Sequence, residues 1–323
     1  MITPIFIFSL PRSGSTLLQR ILAAHPQVHT TAEPWLLLPP LYSLRRGGVY
    51  AEYNHQYLHR AISEFCLELP NGEEDYTDSV RAFALDLYRK VSPPGTRYFL
   101  DKTPRYHLVA ETIIRMFPEG KFIFLWRNPL AVSASVIDSF GGGRWRLHDY
   151  KIDLFDGLEE LLKGYTAHGD RCLALKFEDM INDPLREFRV VFEYLGLPFE
   201  KEILSRFSEI RFRGRLGDPT GRERYTELSR EPLEKWHRIL RNPLRKAWAR
   251  KYLHWLGDAR LATMGYQRSL VLEELEAVPA GMQYLFSDLI RVHLGVLKIC
   301  LEPFILWDKV RLLPAWRKIH GCR

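Results

Sequence analysis

Cysteine is scarce: the 323 residues hold 4, Cys66, Cys172, Cys300 and Cys322, and none stand in a CxxC pair. That spacing excludes a zinc ribbon or a thioredoxin-like motif, and scattered thiols in so long a chain fit a reducing compartment. Long apolar runs are missing too. A spanning helix needs roughly 18 uncharged apolar residues, whereas residues 284–313 are interrupted by Asp288, Arg291, Lys298, Glu302, Asp308 and Lys309. The chain opens Met1-Ile2-Thr3-Pro4 without a basic segment, and the apolar residues 5–10 are too few for a signal core. A soluble, cytoplasmic protein is the expectation. Internal repeats, low-complexity tracts and clustered metal ligands are absent, so no solenoid, disordered tail or metal site is expected.

What is present describes a folded protein. It is 46% hydrophobic and 26% charged, which excludes intrinsic disorder. Lys+Arg 46 against Asp+Glu 39 leaves a net charge of +7, spread along the chain rather than clustered. Such an excess suits an anionic ligand better than a nucleic-acid groove, and no nucleic-acid partner is expected. The length allows two units or one large α/β domain.

Short apolar runs alternate with helical patterns, which implies a parallel sheet with crossover helices. Strands are expected over 4–10, 98–100, 121–126 and 172–177, and helices over 15–24, 105–117, 129–139 and 182–195. Residues 34–94 read as a helical insertion over one sheet edge. After Arg268 the pattern switches to amphipathic helix, so a boundary is placed there.

Two motifs carry chemistry. The first, Leu10-Pro11-Arg12-Ser13-Gly14-Ser15-Thr16, joins a strand to a helix. Glycine in such a turn lets backbone N–H groups converge on an anion, and the helix N-terminus adds its dipole. Arg12 supplies charge, and Ser13, Ser15 and Thr16 supply hydroxyls. No lysine precedes Ser15 or Thr16, so this is not the GxxxxGK[ST] loop of ordinary NTPases and kinases. Simple helix capping by the serines also fits. The second motif, Arg127-Asn128-Pro129-Leu130-Ala131-Val132-Ser133-Ala134-Ser135, follows the strand at 121–126. An arginine at a strand's carboxyl end faces the crevice of an open α/β sheet, and Ser135 lies about two turns along the next helix. A structural arginine–carboxylate pair fits that motif equally.

Together the two motifs resemble the sulfotransferases that use 3′-phosphoadenosine 5′-phosphosulfate (PAPS), over about residues 4–265. The resemblance implies an α/β fold: a P-loop-like parallel β-sheet flanked by helices, with a helical insertion and a C-terminal helical extension. It implies a PAPS-binding sulfotransferase domain over 1–268, followed by an extension over 269–323. It carries Arg12, Ser13, Gly14, Ser15 and Thr16 onto the 5′-phosphosulfate and Arg127 and Ser135 onto the 3′-phosphate. Within the family, Thr30-Thr31-Ala32-Glu33-Pro34 and Asp101-Lys102-Thr103-Pro104 resemble the tyrosylprotein sulfotransferases and their bacterial relatives. That likeness implies Glu33 as general base, with Lys102 and Arg12 stabilising the leaving phosphate. Where many cytosolic members carry a loop lysine, this chain has Arg12, whose geometry and protonation differ. Related enzymes place a cofactor-binding serine or threonine ahead of a similar Lys-Trp pair, so the resemblance also implies Thr220, ahead of Lys235-Trp236, as a further cofactor contact.

Other readings of these residues stay open. Glu33 also fits a surface carboxylate, Lys102 an exposed ion pair with Asp101, His107 a rival base, and His148 a substrate contact. Pocket walls are expected from residues 35–46 and 144–150. Three fates fit the extension: packing on its own domain, homodimerisation, or contact with an anionic membrane. The expected function is transfer of a sulfuryl group from PAPS to a hydroxyl of a sugar, lipid, small molecule or protein tyrosine. The alternatives are a non-catalytic 3′-phosphoadenosine nucleotide-binding protein and a P-loop nucleotide kinase.

Overall fold

The computed structural model describes residues 2–51, 53–212, 228–301 and 305–306. Strands β1 (Thr3–Phe8), β2 (Val28–Thr30), β3 (Tyr98–Asp101), β4 (Lys121–Trp126) and β5 (Cys172–Lys176) form a sheet ordered β2-β3-β1-β4-β5. Every pairing is parallel, so each connection crosses over, with helices on both faces.

Alternation along the strands sorts the core into two layers. Phe6 and Phe8 of β1 join Phe122, Phe124 and Trp126 of β4 on one face, while Ile5, Ile7, Ile123 and Leu125 line the other. Phe6 and Phe122 stack with centroids 6.0 Å apart. The aliphatic face is covered by helices Ser15–Ala23 and Pro184–Leu195, through Leu18, Ile21, Phe188 and Phe192. Helices Ala110–Met116, Leu158–His168 and Pro243–Thr263 cover the aromatic face. Each fully buried Phe or Leu contributes about 1.5–3 kcal/mol.

Three local features depart from the sequence expectation. The short edge strand β2 went unmarked, because three residues after a proline show no period. The helix expected over 105–117 begins as a 3-10 turn, Pro104–Val109, before Ala110–Met116. The helix expected over 182–195 runs from Pro184 to Leu195, and a separate short helix, Phe177–Asn182, precedes it. Pro184 lacks the N–H that continuity requires, and Asp183 caps the second helix by accepting from Arg186 N.

The insertion holds helices Leu38–Tyr42, His55–Leu67 and Glu73–Val91. Tyr88 stacks on Phe99 of β3 at 4.3 Å, which seats the last of these beside the β2 edge. In the extension, helix Arg268–Ala277 sends Val271 and Leu275 into the aromatic-face core. The following helix, Leu285–Leu301, is anchored by Asp288, which is fully buried and bound by Arg245 at 2.7 Å and Asn242 at 2.8 Å.

Candidate active site

Four loops leave the carboxyl edge of the sheet, where open α/β sheets bind ligands. They carry Arg12–Thr16 after β1, Glu33 after β2, Lys102 after β3 and Arg127 after β4.

The first loop turns sharply. Gly14 adopts φ +94, and a Cβ there would lie 2.4 Å from the Phe177 ring, so both conformation and space demand glycine. Arg12 also holds a positive φ of 70, which costs about 1–3 kcal/mol for a non-glycine residue and is typical of functional loops. Among the described residues no side chain caps the helix Ser15–Ala23 that follows, and neither Ser13 nor Ser15 takes up the capping role open to it. Its first N–H groups have no acceptor within the helix and point out of its end. Ser13 and Ser15 are buried, and Ser13 N donates to Leu10 O.

The side chain of Arg12 leads away from this loop to the second motif. Its Nε lies 3.2 Å from Ser135 Oγ and its Nη2 2.9 Å from Ser139 Oγ, with the guanidinium over the Phe140 ring. Arg127 reaches the opposite way, donating to Arg12 O and to Pro232 O at 2.7 Å each, above the ring of Phe177 at 4.4 Å. Among the described residues Arg127 binds backbone carbonyls rather than a carboxylate. Lys235 pairs with Asp138 at 2.6 Å, docking helix Glu231–Leu240 on helix Pro129–Gly141. Thr220 lies outside the described residues.

Glu33 and Lys102 meet across the sheet edge. Lys102 Nζ donates to Glu33 Oε1 at 2.7 Å and to Thr16 Oγ1 at 3.4 Å. The other carboxylate oxygen accepts from Trp35 Nε1 at 3.4 Å. Glu33 is therefore not a lone surface carboxylate, and Lys102, buried, is not in an exposed pair with Asp101. Asp101 instead accepts hydrogen bonds from Tyr88, Tyr106 and Thr103, and burial pushes its carboxyl up to about 6. Thr103 Oγ1 also accepts from Trp35 N, tying the Glu33 loop to the Lys102 loop. From the other side Gln19 donates to Thr30 Oγ1 at 2.8 Å and to Thr31 O at 2.9 Å.

His107, the rival base, is fully buried, with Nδ1 on Pro104 O and Nε2 3.2 Å from Asp153 but without hydrogen-bond geometry to it. His148 sits by Gly295 in the extension, and burial lowers its pKa. The sequence reading places Trp35 in a pocket wall without a role beside Glu33, and it missed Gln19, Phe177 and Ser139. Only Ser139 carried a signal, one helical turn beyond Ser135. Among the described residues no group of His, Cys, Asp and Glu is arranged to hold a metal, and no helix is long and apolar enough to cross a membrane.

A family model described as "Sulfotransferase family" matches residues 4–201. The nodulation protein NoeE of Sinorhizobium fredii is 34% identical over 137 residues, covering 42% of this chain and 31% of that one. The protein-tyrosine sulfotransferase of Drosophila melanogaster is 26% identical over 207 residues, covering 62% of this chain and 39% of that one. The matches thus span well under half the length of these two relatives. Among solved structures, the sulfotransferase domain from the curacin biosynthetic pathway superposes with a TM-score of 0.55 at 21% identity, covering 83% of this chain and 99% of that domain. At that identity the likeness is one of fold.

Proposed function

The chain belongs to the sulfotransferase family, and on that premise we propose that it moves a sulfuryl group from PAPS to an acceptor hydroxyl with Glu33 as general base. The observation that carries this reading is the buried Lys102–Glu33 pair beside Thr16. It sets a proton acceptor and a fixed cation at the mouth of the helix N-terminus.

The residues fit a nucleotide bearing phosphates at two places. One place is the end of helix Ser15–Ala23, with Gly14, Ser15 and Thr16 around it and, among the described residues, no competing side-chain cap. The other is the Arg127–Ser135 motif, where Arg12 converges with Ser135 and Ser139. Ser13, buried beneath the loop, holds its turn. We assign Arg12 to both places, its backbone to the first and its guanidinium to the second. Bound there, PAPS supplies the activated sulfuryl group.

Glu33 Oε accepts the proton of the acceptor hydroxyl as the new oxygen–sulfur bond forms. Lys102, already within reach of Thr16, donates to the negative charge that gathers on the leaving phosphate oxygen. Trp35 and Thr103 hold Glu33 in register with Lys102, so the two groups act at one point. Acceptors with a hydroxyl on a sugar, a lipid, a small molecule or a protein tyrosine all meet this requirement.

Calorimetric titration with 3′-phosphoadenosine 5′-phosphate, with ADP and the Arg127→Ala variant as controls, tests the assignment. The expected result is binding that needs both the 3′-phosphate and Arg127. Equal binding of ADP, or none of either nucleotide, overturns it. Binding without any sulfuryl turnover across hydroxyl acceptors leaves a non-catalytic nucleotide-binding module.

A further inference from the structure

Helix Leu285–Leu301 is held to the rest of the protein by a narrow strip. Asp288 is fully buried in its bonds to Arg245 and Asn242, Val292 packs on the aromatic-face core, and Gly295 lies against His148. Those three positions, spaced i, i+4 and i+7, make one edge of the helix. Much of the outward side is apolar: Phe286 is 78% exposed, Leu294 56%, Val296 61%, Leu297 53% and Leu301 56%. Single exposed apolar residues are ordinary, but a contiguous set on one helix marks an interaction surface.

Charge identifies what that surface meets. Asp288 is the helix's one acidic residue, and it is buried in an ion pair, so the helix exposes no carboxylate. Between this helix and the loop before Tyr150 runs a groove of about 710 Å³, whose charged lining is Arg144, Arg146, Arg291, Lys298 and Asp149. Four cations thus face one carboxylate, and Lys298 and Arg146 already share it at 2.6 and 2.7 Å. Apolar side chains flanked by cations of one sign match the boundary of a bilayer with anionic headgroups. A two-fold dimer fits poorly, because a self-complementary interface sets this net-cationic patch against an identical net-cationic patch.

We propose that this face docks on an anionic lipid bilayer, with helix Leu285–Leu301 lying in the interface rather than crossing it. The groove ends at Phe140, whose ring carries the Arg12 guanidinium at 5.4 Å, so the docked face lies beside the nucleotide loop.

The test is co-sedimentation of the full chain with phosphatidylcholine vesicles and with phosphatidylcholine–phosphatidylglycerol vesicles, at low and high salt. Two double variants, Phe286→Asp/Leu297→Asp and Arg144→Glu/Arg291→Glu, are checked for folding by thermal melts. Each juxtamembrane cation is worth about 1 kcal/mol, so the charge reversals should lower the bound fraction on anionic vesicles roughly tenfold or more. Wild-type binding that needs phosphatidylglycerol, weakens in salt and is lost in both variants supports the proposal. No pelleting, or equal pelleting of folded variants and wild type, overturns it. A wild-type dimer that Phe286→Asp/Leu297→Asp dissolves, without vesicle binding, assigns the face to a second copy and also overturns it. None of these readouts depends on sulfuryl transfer.

Discussion

Lys102 and Glu33 form a 2.7 Å ion pair in which the lysine side chain is 2% exposed and the carboxylate 10%. The two lie 69 residues apart in the chain, at the ends of different strands. Charges this well shielded from water depend on each other, because removing one leaves the other desolvated and uncompensated. The pair therefore links folding to chemistry, and the two effects have to be separated by experiment.

Glu33→Gln keeps the shape and removes the base. Turnover should fall by about 10²–10⁴-fold, with affinity for 3′-phosphoadenosine 5′-phosphate nearly unchanged. Rates under saturating acceptor, paired with calorimetry, provide the check. Full turnover in this variant excludes Glu33 as the base.

Lys102→Met should destabilise by roughly 3–5 kcal/mol, since it strands Glu33 without its cation. Adding Glu33→Gln should recover much of that stability while activity stays lost. Urea denaturation of both single variants and the double variant measures the coupling. Additive effects would show that the pair contributes nothing beyond its members.

Gly14→Ala forces a Cβ to 2.4 Å from Phe177 at a φ of +94. Left-handed backbone and overpacking together should cost about 2–4 kcal/mol. Nucleotide affinity should fall as well, because the same turn aims the N–H groups of Ser15 and Thr16. A variant as stable as wild type in urea would mean that the loop relaxes freely.

Asp101 has an ordinary pKa of 3.8 that burial raises to about 6 in the folded protein. The native state thus holds a proton that the unfolded chain releases. The contribution of this group is full below about pH 4 and is lost as pH rises through about 6. Asp101→Asn, which cannot titrate, should flatten the stability profile across that window. Parallel urea profiles for the two proteins from about pH 4 to about pH 7 would assign the slope to other groups.

Asp288→Ala leaves Arg245 buried without its anion and should destabilise by about 3–5 kcal/mol. Asp288→Asn keeps the hydrogen bonds and should lose less. Because Asp288 also accepts from Trp145 N, both variants should loosen the 144–150 segment, read as faster amide exchange there.

Much of the fold was legible because its signals are local. β4 was read with its ends intact, and β1, β3 and β5 within about two residues, since short buried strands are continuous apolar runs. Pro11-Arg12-Ser13-Gly14-Ser15-Thr16 announced a turn whose backbone needs glycine, and the structure shows that need as a positive φ and a ring in contact. β2 was illegible because three residues carry no period. The helix Phe177–Asn182 was missed because six residues directly after a strand are too few to show a helical period.

The chain by itself determined which residue types stand after each strand: Arg12, Glu33, Lys102 and Arg127 all follow apolar runs or small motifs readable in one dimension. Only the tertiary structure decided what they do to each other. Crossover connections bring four strand ends to one edge, so Glu33 finds Lys102 and Arg12 finds Ser135 across separations of 69 and 123 residues. Direction was likewise hidden, since nothing in the sequence sends the Arg12 guanidinium to Ser139 or turns His107 inward to Asp153. Hydrophobic pattern specifies which faces are buried, whereas side-chain partners follow from packing that no local window contains.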